Sequence, residues 1–212
     1  MKHYIDLGTH EFEGLQEFSE KLNIDETWSV YCYEANPFTY EKAQEYREEY
    51  EKKYVKCVFE NKAVLDENGF ITFHAHKGAW WTGDDNRYDE KWDWASNALD
   101  KPPVYDTGNG TLFDTVDCSV PALDIRNIFD PIFEEDSEAE VYIKCDIEGS
   151  EFAVLPRLLE SPNVNKIKKI FIEWHERFWR TNNSGEYEER VAEKMEIIKK
   201  MKSLGIECYT HS

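Results

Sequence analysis

Short apolar runs alternate along this chain with longer, charged, amphipathic ones. HYIDL (3–7) is apolar and closes on Asp6-Leu7-Gly8, which reads as a buried strand and its turn. Leu15, Phe18 and Leu22 then recur at helical spacing and predict a helix over 11–22. WSVYCYE (28–34) predicts a second strand, after which Pro37 opens a charged helix to Lys53. YVKCVFE (54–60) and the alternating GFITFHAH (69–76) predict two more strands. LFDTVDCSV (112–120) predicts another, with a short helix near 121–129. EVYIKCDIE (140–148) reads as a strand ending in acids. The helix after it starts near Ser150, carries Phe152, Val154, Leu155, Leu158 and Leu159, and should be kinked or limited by Pro156. KKIFIEWHE (168–176) predicts a strand, 185–203 an amphipathic helix stopped by Gly205, and 205–211 a last short strand.

This alternation predicts an α/β fold, a Rossmann-like and mostly parallel sheet with helices on both faces. Such sheets bind ligands at the carboxyl ends of their strands, where the acidic residues of this chain collect. One segment breaks the rhythm. Residues 77–111 are rich in Gly, Asp, Asn, Trp and Tyr, with Pro102-Pro103 near the end, and predict a long loop or lid inserted in a single domain over 1–212.

Composition narrows the partners. With 44 acidic against 25 basic residues the net charge is −19, a field that repels nucleic acid and anionic membranes and suits a divalent metal or a neutral substrate. The five scattered cysteines form no CxxC pair, so no zinc site is expected, and they fit a reducing compartment, the cytoplasm. No apolar run is long enough to span a membrane. The first strand begins almost at Met1 and the chain stops after one short strand. The expectation is a minimal enzyme or a domain cut from a longer protein.

The turn Asp6-Leu7-Gly8-Thr9-His10 combines a glycine, which lets a ligand approach the backbone, with a helix N-terminus that favours a carboxylate. Asp6 could accept from an ammonium group. Glu34 ends the second strand, where an acid can accept both ribose hydroxyls of an adenosine cofactor, and Asn36-Pro37 could pack on or bond to the adenine. The GxGxxG of dinucleotide folds is missing, which argues against NAD or FAD.

Four segments, YIDLGTHEFEG (4–14), VYCYEANP (30–37), ENKAVLDENGFITFHA (60–75) and YIKCDIEGSEFAVL (142–155), extended by IFIEWHE (170–176), resemble the FkbM family of methyltransferases. The resemblance spans nearly the whole chain, and IKxDxEGxE is its most specific element. It implies a class I methyltransferase fold and S-adenosylmethionine as cofactor. It also implies cofactor roles for Asp6, Gly8, Thr9, His10, Glu34, Asn36, Asn61 and Ala63, and O-methylation of hydroxyls on sugars or natural products. Phe12 stands where the family has Gly or a small residue, and His10 where Asn or Gly is common; Gly14 is a candidate displaced substitute.

An alcohol is a poor nucleophile and needs a base, a metal, or both. Asp146, at the end of its strand, is the first candidate for metal ligand, proton acceptor or cofactor contact. Glu173 and His175, two apart on a strand, face the same side and with Asp146 make an oxygen-and-nitrogen set for one divalent ion such as Mg²⁺ or Mn²⁺. His175 could instead be the general base. Glu148 could line the site or cap a helix, whereas Glu151 reads as an acid that suits the helix dipole. In 77–111, Trp80 and Trp81 with Asp84 and Asp85 form a candidate wall for a sugar acceptor, with a satellite core anchoring the loop as the bland alternative. The expected function is O-methyl transfer to a sugar or glycan. The rivals are a non-catalytic module binding adenosine cofactor and glycan, and methylation of a small non-sugar metabolite.

Overall fold

The computed structural model describes residues 1–81, 88–92, 114–182 and 185–210. Six strands form a parallel sheet: β1 (Lys2–Leu7), β2 (Ser29–Glu34), β3 (Lys56–Asn61), β8 (Glu140–Cys145), β9 (Ile167–Ile172) and β10 (Glu207–Thr210). Their order is β10-β9-β8-β1-β2-β3. The chain therefore winds one way from β1 to β3 and the other way from β8 to β10. The loops leaving β1 and β8 diverge and open a crevice between them.

Alternation along each strand sorts side chains to two faces. Tyr4, Val30 and Cys32 pack with Leu15 and Phe18 of α1 (Glu13–Leu22) and Ala43 and Tyr50 of α2 (Pro37–Lys53). Ile5, Leu7, Tyr31 and Tyr33 pack on the other face. There they meet Ile128, Phe129 and Ile132 of α3 (Arg126–Glu135), Leu155 and Leu158 of α4 (Glu151–Leu158), and Ile197 and Met201 of α5 (Glu186–Ser203). The Rossmann-like expectation holds. No helix among the described residues is long and apolar enough to cross a membrane.

Several boundaries move, each for a local reason. β4 (Ala63–Leu65), β5 (Gly69–Trp81), β6 (Tyr88–Trp92) and β7 (Asp114–Asp124) form a second sheet, ordered β4-β7-β5-β6. Pairing of Ala63, Val64 and Leu65 with Ala122, Leu123 and Asp124 keeps 122–124 extended, so the helix expected near 121–129 starts only at Arg126. The expected lid is strand in its described parts, with Trp80 paired to Asp89 and Trp81 to Tyr88. Asp84 and Asp85 lie outside the described residues. The strand expected over 140–148 ends at Cys145, because Glu148 (φ 51°) and Gly149 (φ 100°) are left-handed. The strand expected over 168–176 ends at Ile172, so Glu173 and His175 lie on the loop beyond it.

Candidate active site

Two loops and two strand ends build one cavity. Gly8 turns at φ 75°, and its amide and that of Thr9 both donate to the Tyr33 carbonyl, at 3.0 and 3.1 Å. A Cβ on Gly8 would stand 1.9 Å from the carbonyl oxygen of Asp146, so only glycine lets the β1 and β8 loops close on each other. Glu34 ties the same region together. Its Oε2 accepts from the His10 amide at 2.8 Å and its Oε1 from the Asn36 amide at 2.7 Å. Asn36 caps α2 through Oδ1, which accepts from Phe38 N at 3.0 Å. Asn61 Nδ2 donates to the carbonyls of Glu34 and Ala35, at 2.8 and 3.1 Å, and so holds the end of β2 in place. Burial raises the Glu34 carboxyl above its ordinary range, against the hydrogen bond from Asn36.

The cavity is lined by Gly8, His10, Glu34, Asn36 and Ala63, by Val64 and Phe73 as an apolar wall, and by Asp146, Glu148, Ser150 and Glu173. Asp6, Thr9 and Asn61 stand behind this lining. Asp6 is fully buried, accepts from Thr9 Oγ1 at 2.9 Å and lies 3.7 Å from Lys144 Nζ. It forms an ion pair with that lysine, and Oδ1 has no hydrogen-bond partner among the described residues. Burial raises the Asp6 carboxyl, and the Lys144 charge opposes the rise.

Lys144 is the residue that the sequence reading passed over. It is the register partner of Asp6 across the β1–β8 pair, which brings the two side chains to the same face. Its ammonium donates to the Gly8 carbonyl at 2.6 Å and lies 3.1 Å from Asp146 Oδ2. Burial disfavours the charge, but Asp6 and Asp146 outweigh it and hold the lysine above its ordinary pKa. The available signal was a lone cation in an apolar strand, two residues before an acid.

Around His175 the structure assembles more than expected. Its ring is fully buried, and Nδ1 lies 2.9 Å from Glu151 Oε1. Nε2 faces Glu148 at 3.2 Å, Glu173 at 3.6 Å and Asp146 at 3.8 Å. The expected trio of Asp146, Glu173 and His175 does converge, but the compact group with ligand geometry is Asp146, Glu148 and His175. Glu173 flanks it and reaches Arg177 at 3.5 Å. Glu151 does occupy the first turn of α4, yet it does more than suit a dipole: it is fully buried, accepts from the amides of Ile147 and Gly149 at 3.1 and 3.0 Å, and orients His175. Burial opposes a charge on His175, but Glu148 and Glu151 outweigh it and push the imidazole up to about 10. Burial pushes Glu148 up to about 7, with His175 opposing.

The model of the methyltransferase FkbM domain matches residues 6–206. The chain belongs to the FkbM methyltransferase family. It is an S-adenosylmethionine-dependent methyltransferase, and the matched stretch contains every lining residue from Gly8 to Glu173. No curated protein and no solved structure matches the chain. The residues of this FkbM methyltransferase fit its cofactor. Gly8 lets the two loops that line the cavity meet, Glu34 presents a carboxylate at the β2 end, and Ala63, Val64 and Phe73 offer an apolar wall for a base.

The departures from the family pattern are absorbed locally. Phe12 adopts the left-handed conformation (φ 65°) that a glycine takes easily, and its ring packs on Tyr50 and Phe59 at 4.5 and 4.4 Å. Gly14 is the position with no room to spare: a Cβ there would lie 2.7 and 2.8 Å from the two Asp6 carboxylate oxygens. Gly14→Ala is therefore expected to lower stability by about 1–3 kcal/mol from overpacking, more than the ~1 kcal/mol alanine gains over glycine in a helix. A urea melt at or above the native midpoint would contradict this.

Proposed function

We propose that this FkbM methyltransferase transfers a methyl group to a hydroxyl of a sugar or glycan. The observation that carries the reading is that one cavity is lined both by Glu34 with the apolar Ala63, Val64 and Phe73, which suit an adenosine, and by Asp146 and Glu148 of the carboxylate–imidazole group. Bound S-adenosylmethionine supplies an electrophilic methyl group on its sulfonium. Gly8, His10, Glu34, Asn36 and Ala63 orient the cofactor, with Asp6, Thr9 and Asn61 fixing those residues from behind. Asp146, Glu148 and Glu173 accept hydrogen bonds from the acceptor's hydroxyls, and the Asp146 carboxylate takes the proton as the new O–CH₃ bond forms. With or without a divalent cation, the task of these residues is the same: to hold the hydroxyl in line with the methyl group. Hydroxyl-rich acceptors suit such a wall better than a phenol does.

The β5–β6 ribbon supports an extended acceptor. Phe73 lines the cavity, and Trp80 and Trp81 follow seven and eight residues further along the same strand, β5. Extended strand covers about 3.4 Å per residue, so their backbone lies roughly 24–27 Å beyond Phe73. An acceptor touching both regions is a chain of sugars, which makes a glycosyltransferase the natural working partner.

The test begins with S-adenosylmethionine titrated calorimetrically into the native chain and into Glu34→Gln. In the variant one carboxylate oxygen that faces a backbone amide becomes a second donor. Micromolar binding by the native chain, about −8 kcal/mol, weakened at least tenfold in the variant is the expected result. Equal affinities would remove Glu34 from the cofactor site. Turnover of glycans but not phenols, read as S-adenosylhomocysteine formed, then decides the acceptor class.

A further inference from the structure

The geometry points to a seat for one divalent transition-metal ion, with Mn²⁺ favoured over Mg²⁺, held by Asp146, Glu148 and His175. Two buried atoms carry this inference. His175 Nε2 belongs to a fully buried ring, Glu148 Oε2 to a side chain only 11% exposed, and neither has a hydrogen-bond partner among the described residues, although they lie 3.2 Å apart. Leaving such atoms unmatched is costly, and an ion between them satisfies both. Asp146 supplies a third ligand atom, and all three lie within 4.8 Å of one another. Glu173, 3.6 Å from Nε2, is near enough to join as a fourth.

The support behind the ligands is already built. A histidine that binds a metal through one nitrogen is commonly held at the other by a carboxylate. Glu151 does this at Nδ1, and is itself fixed by the amides of Ile147 and Gly149. Access is from the cavity, which Asp146, Glu148 and Glu173 line; His175 is fully buried behind Glu148, 3.2 Å from its Oε2. One imidazole among carboxylates favours Mn²⁺ over Mg²⁺ or Ca²⁺, which prefer oxygen alone.

The ion's use to the enzyme rests on the proposed acceptor site, since it would meet an arriving hydroxyl there; its binding does not. The full chain is freed of metal with a chelator and titrated with MnCl₂, with loss of the free Mn²⁺ resonance as readout. The same protein is titrated separately with S-adenosylmethionine. One Mn²⁺ per chain is expected, weakened at least tenfold in Glu148→Gln and in Asp146→Asn, and displaced by Mg²⁺ only in large excess. The Asp146 variant guards against misfolding, because that side chain is one quarter exposed. No binding, or several equivalents unaffected by either substitution, overturns the inference. Cofactor binding without Mn²⁺ binding overturns the ion alone; Mn²⁺ binding without cofactor binding overturns the proposed function and leaves the ion.

Discussion

Asp146→Asn is expected to lower kcat by about 10²–10⁴-fold, the range a positioned proton acceptor contributes, with far less effect on KM for the cofactor. Asp146 and Glu173 are the two most exposed members of the cluster, at 25% and 23%. Lys144 behind Asp146 is 6% exposed and His175 beneath it is fully buried. Asp146 is therefore within reach of an acceptor, as Glu173 is, and of the two it belongs to the compact group with Glu148 and His175. Asparagine keeps the shape and can still accept from Lys144, so the fold should survive while the charge next to the hydroxyl is lost. The measurement is initial rate against both substrates, with the thermal midpoint as a check. A variant retaining more than a tenth of native kcat would remove Asp146 from the chemistry. A large rise in KM for the cofactor at unchanged kcat would reassign it to cofactor binding.

Lys144→Met should be the most damaging single change to stability, about 3–5 kcal/mol, because removing one partner of a buried ion pair leaves an uncompensated charge. For a chain of this length that is roughly 6–20 °C in the melting midpoint. Asp6 is the group left exposed to this penalty: it is fully buried, with Thr9 as its remaining hydrogen-bond donor. The loss should shrink at low pH, where a protonated Asp6 needs no cation. It should also shrink in the double variant Lys144→Met/Asp6→Asn, which removes the stranded charge. If the two substitutions simply add, the pair is not the unit described here.

That Gly8 and Glu34 face a cavity was legible because each sits at a strand end marked by local signals. Gly8 follows an apolar run, and Glu34 precedes Asn36-Pro37, a helix start. Lys144 and Glu151 were not legible, because their roles depend on partners far away in sequence. Lys144 acquires its meaning only when β8 pairs with β1, and Glu151 only when the loop carrying His175 folds back over α4. The same limit explains the second sheet. Alternation in 69–76 identifies a strand but not its partners, and Leu123, Ile125, Ile128 and Phe129 scan as a helix face until β4 holds the first of them extended.

The central position of β1 also bears on how the chain is made. β1, β2 and β3 emerge first and can pair at once, yet the strand on the other side of β1 comes much later. Lys144 follows Gly8 by 136 residues. At about 5–20 residues per second of synthesis, the cation that neutralises Asp6 arrives roughly 7–27 s after its partner. Until then the edge of β1 that later pairs with β8 is open, and Asp6 is without the Lys144 cation. The cofactor loop therefore takes its final shape late, as the last core strands are threaded into place.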